Sequence, residues 1–158
     1  MSLPRQTVYL KDYQPVPFCM ESVDLRVELS DALTVVTAEL RVSRRDSELG
    51  QPLVLHGECL SLQSIMLDGV ELAAESYELT ETRLTVLQVP ETFVIKTVVH
   101  IIPQENKSMM GLYRSRGNYC TQCEAQGFRK ITYFIDRPDI MTRFTTTVVA
   151  DKARYPYL

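Results

Sequence analysis

Apolar and polar residues alternate at every second position along most of this chain. In VDLRVELS the apolar side chains fall at Val23, Leu25, Val27 and Leu29, and in VTAELRV at Val36, Ala38, Leu40 and Val42. Successive side chains of an extended strand point to opposite faces, so this period builds strands with one buried face and not the stripe of an amphipathic helix. Asp31, Ala32 and Leu33 lie between the two runs and read as a hairpin loop. PLVLHG reads as a short buried strand, TRLTVLQV as a strand ended by Pro90, and FVIKTVVHII as a long β-branched strand closed by Pro103. In SIMLDGVEL the pair Asp68-Gly69 predicts a tight hairpin turn, in which both central residues take positive φ. RFTTTVVAD is strand-like again, its threonines suited to a half-exposed sheet. No segment keeps a helical period beyond about three turns. The expected fold is therefore all-β with little helix, a β-sandwich or a curved pair of sheets, as a single domain over residues 1–158.

A chain of 158 residues, 45% of them hydrophobic, has enough material to bury a core without disulfides or metal. The formal net charge of −3 comes with no basic block, which argues against a nucleic-acid partner. Arg44-Arg45 is followed at once by Asp46 and Glu48 and reads as a solvated turn. No apolar run approaches the roughly 20 residues of a membrane span. The start, MSLPRQTVYLKDYQ, has no apolar core of a secretory signal, so the cytoplasm is the expected compartment and Cys19, Cys59, Cys120 and Cys123 are expected to be reduced. The last residues, VVADKARYPYL, are apolar and aromatic and read as the edge of a domain within a longer polypeptide.

The densest cluster of reactive residue types is CTQCEAQGFR, residues 120–129. Structural zinc takes four ligands, usually two cysteine pairs, and here Cys120 and Cys123 are the only pair, with His56 and His100 far away in sequence. A redox pair needs a helix start beneath it, whereas Gly127 follows closely. In an extended segment residues three apart face opposite ways, so the two thiols diverge and read as small hydrophobes. Gln122 and Glu124 are two apart and would project to one side. On spacing alone they read as surface polar groups on an edge strand. The alternative is a receptor for an α-ammonium, the carboxylate accepting and the amide able to donate or accept.

The block GLYRSRGNYCTQCEAQGFRKITYFIDRPDIMTRFTTTVVADKARYPYL resembles the N-terminal domain of the gluzincin zinc aminopeptidases, in the bacterial aminopeptidase N branch. The residues that carry the resemblance are Gly111-Leu112-Tyr113, Thr121-Gln122-Cys123-Glu124-Ala125, Gly127-Phe128-Arg129, Asp136-Arg137-Pro138-Asp139 and Arg143-Phe144-Thr145-Thr146. YLKDYQPVPF, VDLRVEL, TVVTAEL and LVLHGECLSL agree more weakly and in the same order. The resemblance implies a saddle-like domain of antiparallel and mixed strands, followed in the complete enzyme by a thermolysin-like catalytic domain that binds zinc. His-Glu-x-x-His and Gly-x-Met-Glu-Asn are both absent here, so no catalytic or metal-binding residue is expected in this chain, which should be inactive alone. The resemblance assigns Glu124 to the free amino terminus of the peptide substrate and Gln122 to the pocket for its first side chain. It makes Tyr113, Arg129 and Asp136 to Asp139 scaffold. Gln126 stands where close relatives often carry an acidic residue. Residues 114–127 are expected to be less ordered than the strands, because their cover belongs to the catalytic domain. The alternative is a free-standing β-sandwich that binds a peptide or protein.

Overall fold

A computed structural model describes residues 9–45 and 50–156 of the chain. The turn expected after Arg44-Arg45 falls on residues 46–49 and lies outside the described residues. Among the described residues eleven strands follow one another: β1 (Phe18–Glu28), β2 (Thr34–Arg44), β3 (Leu53–His56), β4 (Ser61–Leu67), β5 (Val70–Glu71), β6 (Tyr77–Leu79), β7 (Arg83–Val86), β8 (Thr92–Ile101), β9 (Gly111–Ser115), β10 (Asn118–Gln122) and β11 (Arg143–Val149). Among the described residues, helical structure is limited to single 3-10 turns at Leu10–Asp12, Ala74–Ser76 and Phe128–Lys130.

Six strands form a mixed sheet in the order β11-β1-β2-β8-β4-β5, in which β11 runs parallel to β1 and the other pairs are antiparallel. A second, antiparallel sheet has the order β3-β7-β6, and β9 and β10 form a separate two-stranded ribbon. The fold is thus all-β, with antiparallel and mixed sheets and little helix. Alternation works as the sequence indicates: Val23, Leu25 and Val27 of β1, Val36, Ala38, Leu40 and Val42 of β2, and Phe93, Ile95, Val99 and Ile101 of β8 all turn into one core. Leu53, Leu55, Leu84 and Val86 of the smaller sheet join it, and Leu112, Ile131 and Tyr133 to Ile135 close one side.

Asp68 and Gly69 both take positive φ, 48° and 81°, as the tight turn between β4 and β5 requires. Asp68 adds a second tie, its Oδ1 accepting the Val94 N–H at 2.7 Å. β1 departs from simple alternation. A bulge between Met20 and Ser22 shifts the register, so that Phe18 and Met20 are buried on one phase and Val23, Leu25 and Val27 on the other. Arg44 also corrects the expectation of a solvated turn. It is half-buried, its guanidinium stands 4.9 Å from the Phe18 ring centroid, and it donates to the carbonyls of Gln51 and Val89. Arginine suits this place because its planar cation stacks on an aromatic face while Nη2 donates to the two carbonyls.

Candidate functional site

The residues of interest lie on the β9–β10 ribbon and the turn that follows it. Arg116 and Gly117, with φ of 49° and 89°, make the reversal between the two strands. A lone two-stranded ribbon is marginal in water, so its orientation depends on outside anchors. The first anchor is aromatic. Tyr119 donates its hydroxyl to the Ser30 carbonyl at 2.9 Å, and its ring lies 6.1 Å from that of Tyr155. Arg114 stacks over the same ring at 5.5 Å and bonds Asp31 at 3.3 Å, and Arg154 pairs with the same carboxylate.

The second anchor is ionic. Arg129 pairs with Asp136 through Nε at 2.9 Å, donates its backbone N–H to the same carboxylate oxygen at 3.1 Å, and donates Nη2 to the Asp136 carbonyl at 2.8 Å. Glu58 lies 3.7 Å from Arg129 and 3.2 Å from Lys130, and the Glu58 N–H donates to the Arg129 carbonyl. On the other side, the Asp136 N–H donates to His56 Nδ1 at 3.2 Å, while the backbones of His56 and Phe134 bridge as a two-residue ladder. His56 is thereby an acceptor in the scaffold. Burial, followed by the nearby charges of Arg129 and Arg83, lowers its pKa below the usual 6.5, against a smaller opposing pull from Asp136. Its contribution to stability is complete above that usual value. It declines as the pH falls from there towards the lower folded-state pKa, because the unfolded chain takes up the proton first. Urea unfolding between about pH 7.5 and about pH 5.5 should therefore show a steeper loss for the native chain than for His56→Asn; equal slopes would remove His56 from the pH response.

Between these anchors sits the turn. Gly127 donates its N–H to the Cys123 carbonyl at 2.8 Å. A β-carbon at Gly127 would lie 2.5 Å from the Gln122 carbonyl and 2.9 Å from Cys123 Cα, so only glycine lets the chain fold back this closely. Gln122 ends β10, and Glu124 begins the turn with a cis peptide bond to Ala125. This corrects the premise of an extended segment through 124: the strand stops at Gln122 because the backbone reverses to meet Gly127. The two residues are brought together by a hydrogen bond instead of by strand period, Gln122 Nε2 donating to the Glu124 carbonyl at 3.3 Å. Both side chains are exposed, and among the described residues nothing pairs with the Glu124 carboxylate.

Residues 114–127 comprise the end of β9, β10 and the turn that follows. Cys123 packs against the core, and burial, then the charge of Asp136, raises its thiol pKa. Cys120 is half-buried with its sulfur 4.0 Å from the Asn118 carbonyl. No group of three or more histidine, cysteine or acidic residues among the described residues could hold a metal ion. A cleft of about 750 Å³ opens beside Leu33, Cys59, His100, Lys107 and Lys130, but neither Gln122 nor Glu124 lines it. The ties from Arg129 to Asp136 and from Asp136 to His56 were not legible as a unit, since no local pattern links positions 80 residues apart.

The described geometry is that of a β scaffold presenting one carboxylate on a braced turn. The chain matches the Peptidase M1 N-terminal domain over residues 20–156 and belongs to that family. Among named relatives, it is 49% identical over 153 residues to Aminopeptidase N of Caulobacter vibrioides, covering 97% of this chain and 18% of that protein. The crystal structure of Legionella pneumophila aminopeptidase A in complex with aspartic acid matches with a TM-score of 0.86 at 30% identity, over 93% of this chain and 18% of that one. A mutant M1 zinc metallopeptidase of Deinococcus radiodurans bound to a Tyr-Ser-Ala substrate shares the fold, with a TM-score of 0.67 at 17% identity over 85% of this chain and 33% of that one. The chain thus spans about a fifth of the length of the curated relative, 18%. Among the described residues no helix is long and apolar enough to cross a membrane.

Proposed function

We propose that this chain is the N-terminal domain of a zinc-dependent, cytoplasmic aminopeptidase that removes amino acids from the free amino end of peptides, and that it supplies substrate contacts and scaffold. Its partners on this reading are the catalytic domain of the same polypeptide and peptides with a free amino terminus. The observation that carries the reading is the Glu124 carboxylate, which is exposed and unpaired among the described residues although the turn beneath it is tied on both sides. Zinc belongs to the part of the enzyme outside these 158 residues. What this chain contributes is a fixed acceptor. An α-ammonium docked on Glu124 sets how far the first peptide bond extends beyond it, so binding energy becomes orientation, and an internal peptide bond has no cation to offer. Gln122, its Nε2 held by the Glu124 carbonyl, presents its amide oxygen beside the first side chain.

Support comes from the relatives: the most similar of those named above is Aminopeptidase N, and the Legionella enzyme holds a free amino acid. The test is a comparison of paired peptides. The complete polypeptide should release the first residue from a free-amine peptide and leave its N-acetylated twin intact, while the 158-residue chain with added zinc should release nothing. Equal cleavage of the twins would end the reading of Glu124 as an ammonium receptor, and hydrolysis by the short chain would end its assignment as a non-catalytic domain.

A further inference from the structure

The core face of the large sheet is open at both edges: Val70 of the two-residue β5, paired with Leu67, is 69% exposed, and a longer opening lies along β11 at the other end. Register pairs Val23 with Phe144, Leu25 with Thr146 and Val27 with Val148, so these six side chains share a face. On β1 they are 0%, 7% and 8% exposed, whereas Phe144 is 51% and Val148 42% exposed, one strand further out. Phe144 reaches back to the core aromatics, 5.5 Å from Phe128 and 5.9 Å from Phe134, so the apolar cluster runs out to the surface at this point. The two ends of the sheet also differ. The opposite edge, β5, is only two residues long, a common way to protect a sheet edge. β11 has seven residues, no proline, no bulge, and a single charge at Arg143. It has none of the devices that keep an edge from finding a partner.

We propose that the core face of β11, at Phe144, Thr146 and Val148, is a docking surface covered in the complete polypeptide by chain that follows residue 158. The proposal rests on the reading that these residues are one domain of a longer enzyme, and on the length of the relatives, of which this fold makes up 18% in both the Caulobacter protein and the Legionella structure. Position favours the same occupant. After β11 the backbone turns at Asp151, whose carbonyl accepts the N–H groups of Arg154 and Tyr155. That turn is pinned by Arg154 to Asp31, in the loop after β1, so the polypeptide leaves the sheet at the Val149 end of β11. A second copy fits less well. Pairing two β11 edges would extend the sheet, yet it would leave both core faces uncovered, because what is missing is a layer over the face. The cover is expected to present apolar side chains to Phe144 and Val148 and hydroxyl-compatible groups to Thr146.

Hydroxyl-radical footprinting of the unmodified complete polypeptide reads Phe144 directly, and thiol labelling of Val148→Cys reads the same face independently. Both sites should react about a hundredfold more slowly in the native polypeptide than in urea, the range expected for a closed, packed surface. Native rates within about threefold of the unfolded rates at both sites would overturn the proposal. Protection that disappears on dilution, with the mass falling from dimer to monomer by light scattering, would overturn the occupant in favour of a second copy. Neither readout involves peptide hydrolysis, so failure here leaves the Glu124 assignment standing, and failure there leaves this one.

Discussion

Glu124→Ala in the complete enzyme is expected to raise KM for a free-amine peptide by about ten- to a hundredfold, with a smaller change in kcat. The arithmetic follows from one charge-assisted contact worth roughly 1.5–3 kcal/mol, at about 1.4 kcal/mol per tenfold. In the domain by itself the carboxylate faces water, where such a contact is weak. On the proposed function, the energy becomes available when the catalytic domain covers the turn and excludes solvent. Folding should be unaffected, because among the described residues the Glu124 carboxylate makes no bond that the substitution would break. A variant with native melting behaviour and raised KM identifies a binding residue. Native KM on several free-amine peptides would take Glu124 out of the site.

The second large effect concerns the brace. Asp136→Ala should cost about 3 kcal/mol of stability, the low end for breaking a buried pair by removing one partner. The side chains of Arg129 and Asp136 are only 14% and 9% exposed, and Asp136 accepts both the Arg129 Nε and its backbone N–H. The low end applies because Arg129 keeps the Asp136 carbonyl at 2.8 Å and Glu58 at 3.7 Å. Asp136→Asn retains an acceptor and should cost about half as much, roughly 1.5 kcal/mol. The measurement is the urea midpoint at unchanged slope. A loss below about 0.5 kcal/mol for the alanine variant would mean that the cluster is ornamental to the fold.

Strands with one buried face were legible from alternation alone, as in Val23 to Val27 and Val36 to Val42, because period two has only one structural solution. The Asp68-Gly69 turn was legible for the same kind of reason: few residue pairs tolerate positive φ twice in succession. The bulge at Met20–Ser22 was not, since an extra residue in one strand is defined by its partner strand and leaves no local trace. The β9–β10 ribbon was missed because Arg116-Gly117 is a weaker turn signal than Asp-Gly and its strands, GLYRS and NYCTQ, are short and show no clean apolar alternation. At the candidate site, residue types and spacing made Gln122 and Glu124 visible as a pair, while the strand period wrongly supplied the reason for their proximity. The reversal at Gly127 could not be read, because it depends on how near the Gln122 carbonyl comes, and that is a property of packing.

The parallel pairing of β1 with β11 carries a consequence for biosynthesis. Ser22 must find Arg143 before the sheet gains its parallel edge strand, and His56 must find Phe134 before the brace exists. Contacts so distant along the chain make for slow folding. A nascent chain emerging from the ribosome would carry its first strand with one edge paired to β2 and the other edge open through most of the domain's translation, and the turn bearing Glu124 would take its shape only after the residues near 136 had left the exit tunnel.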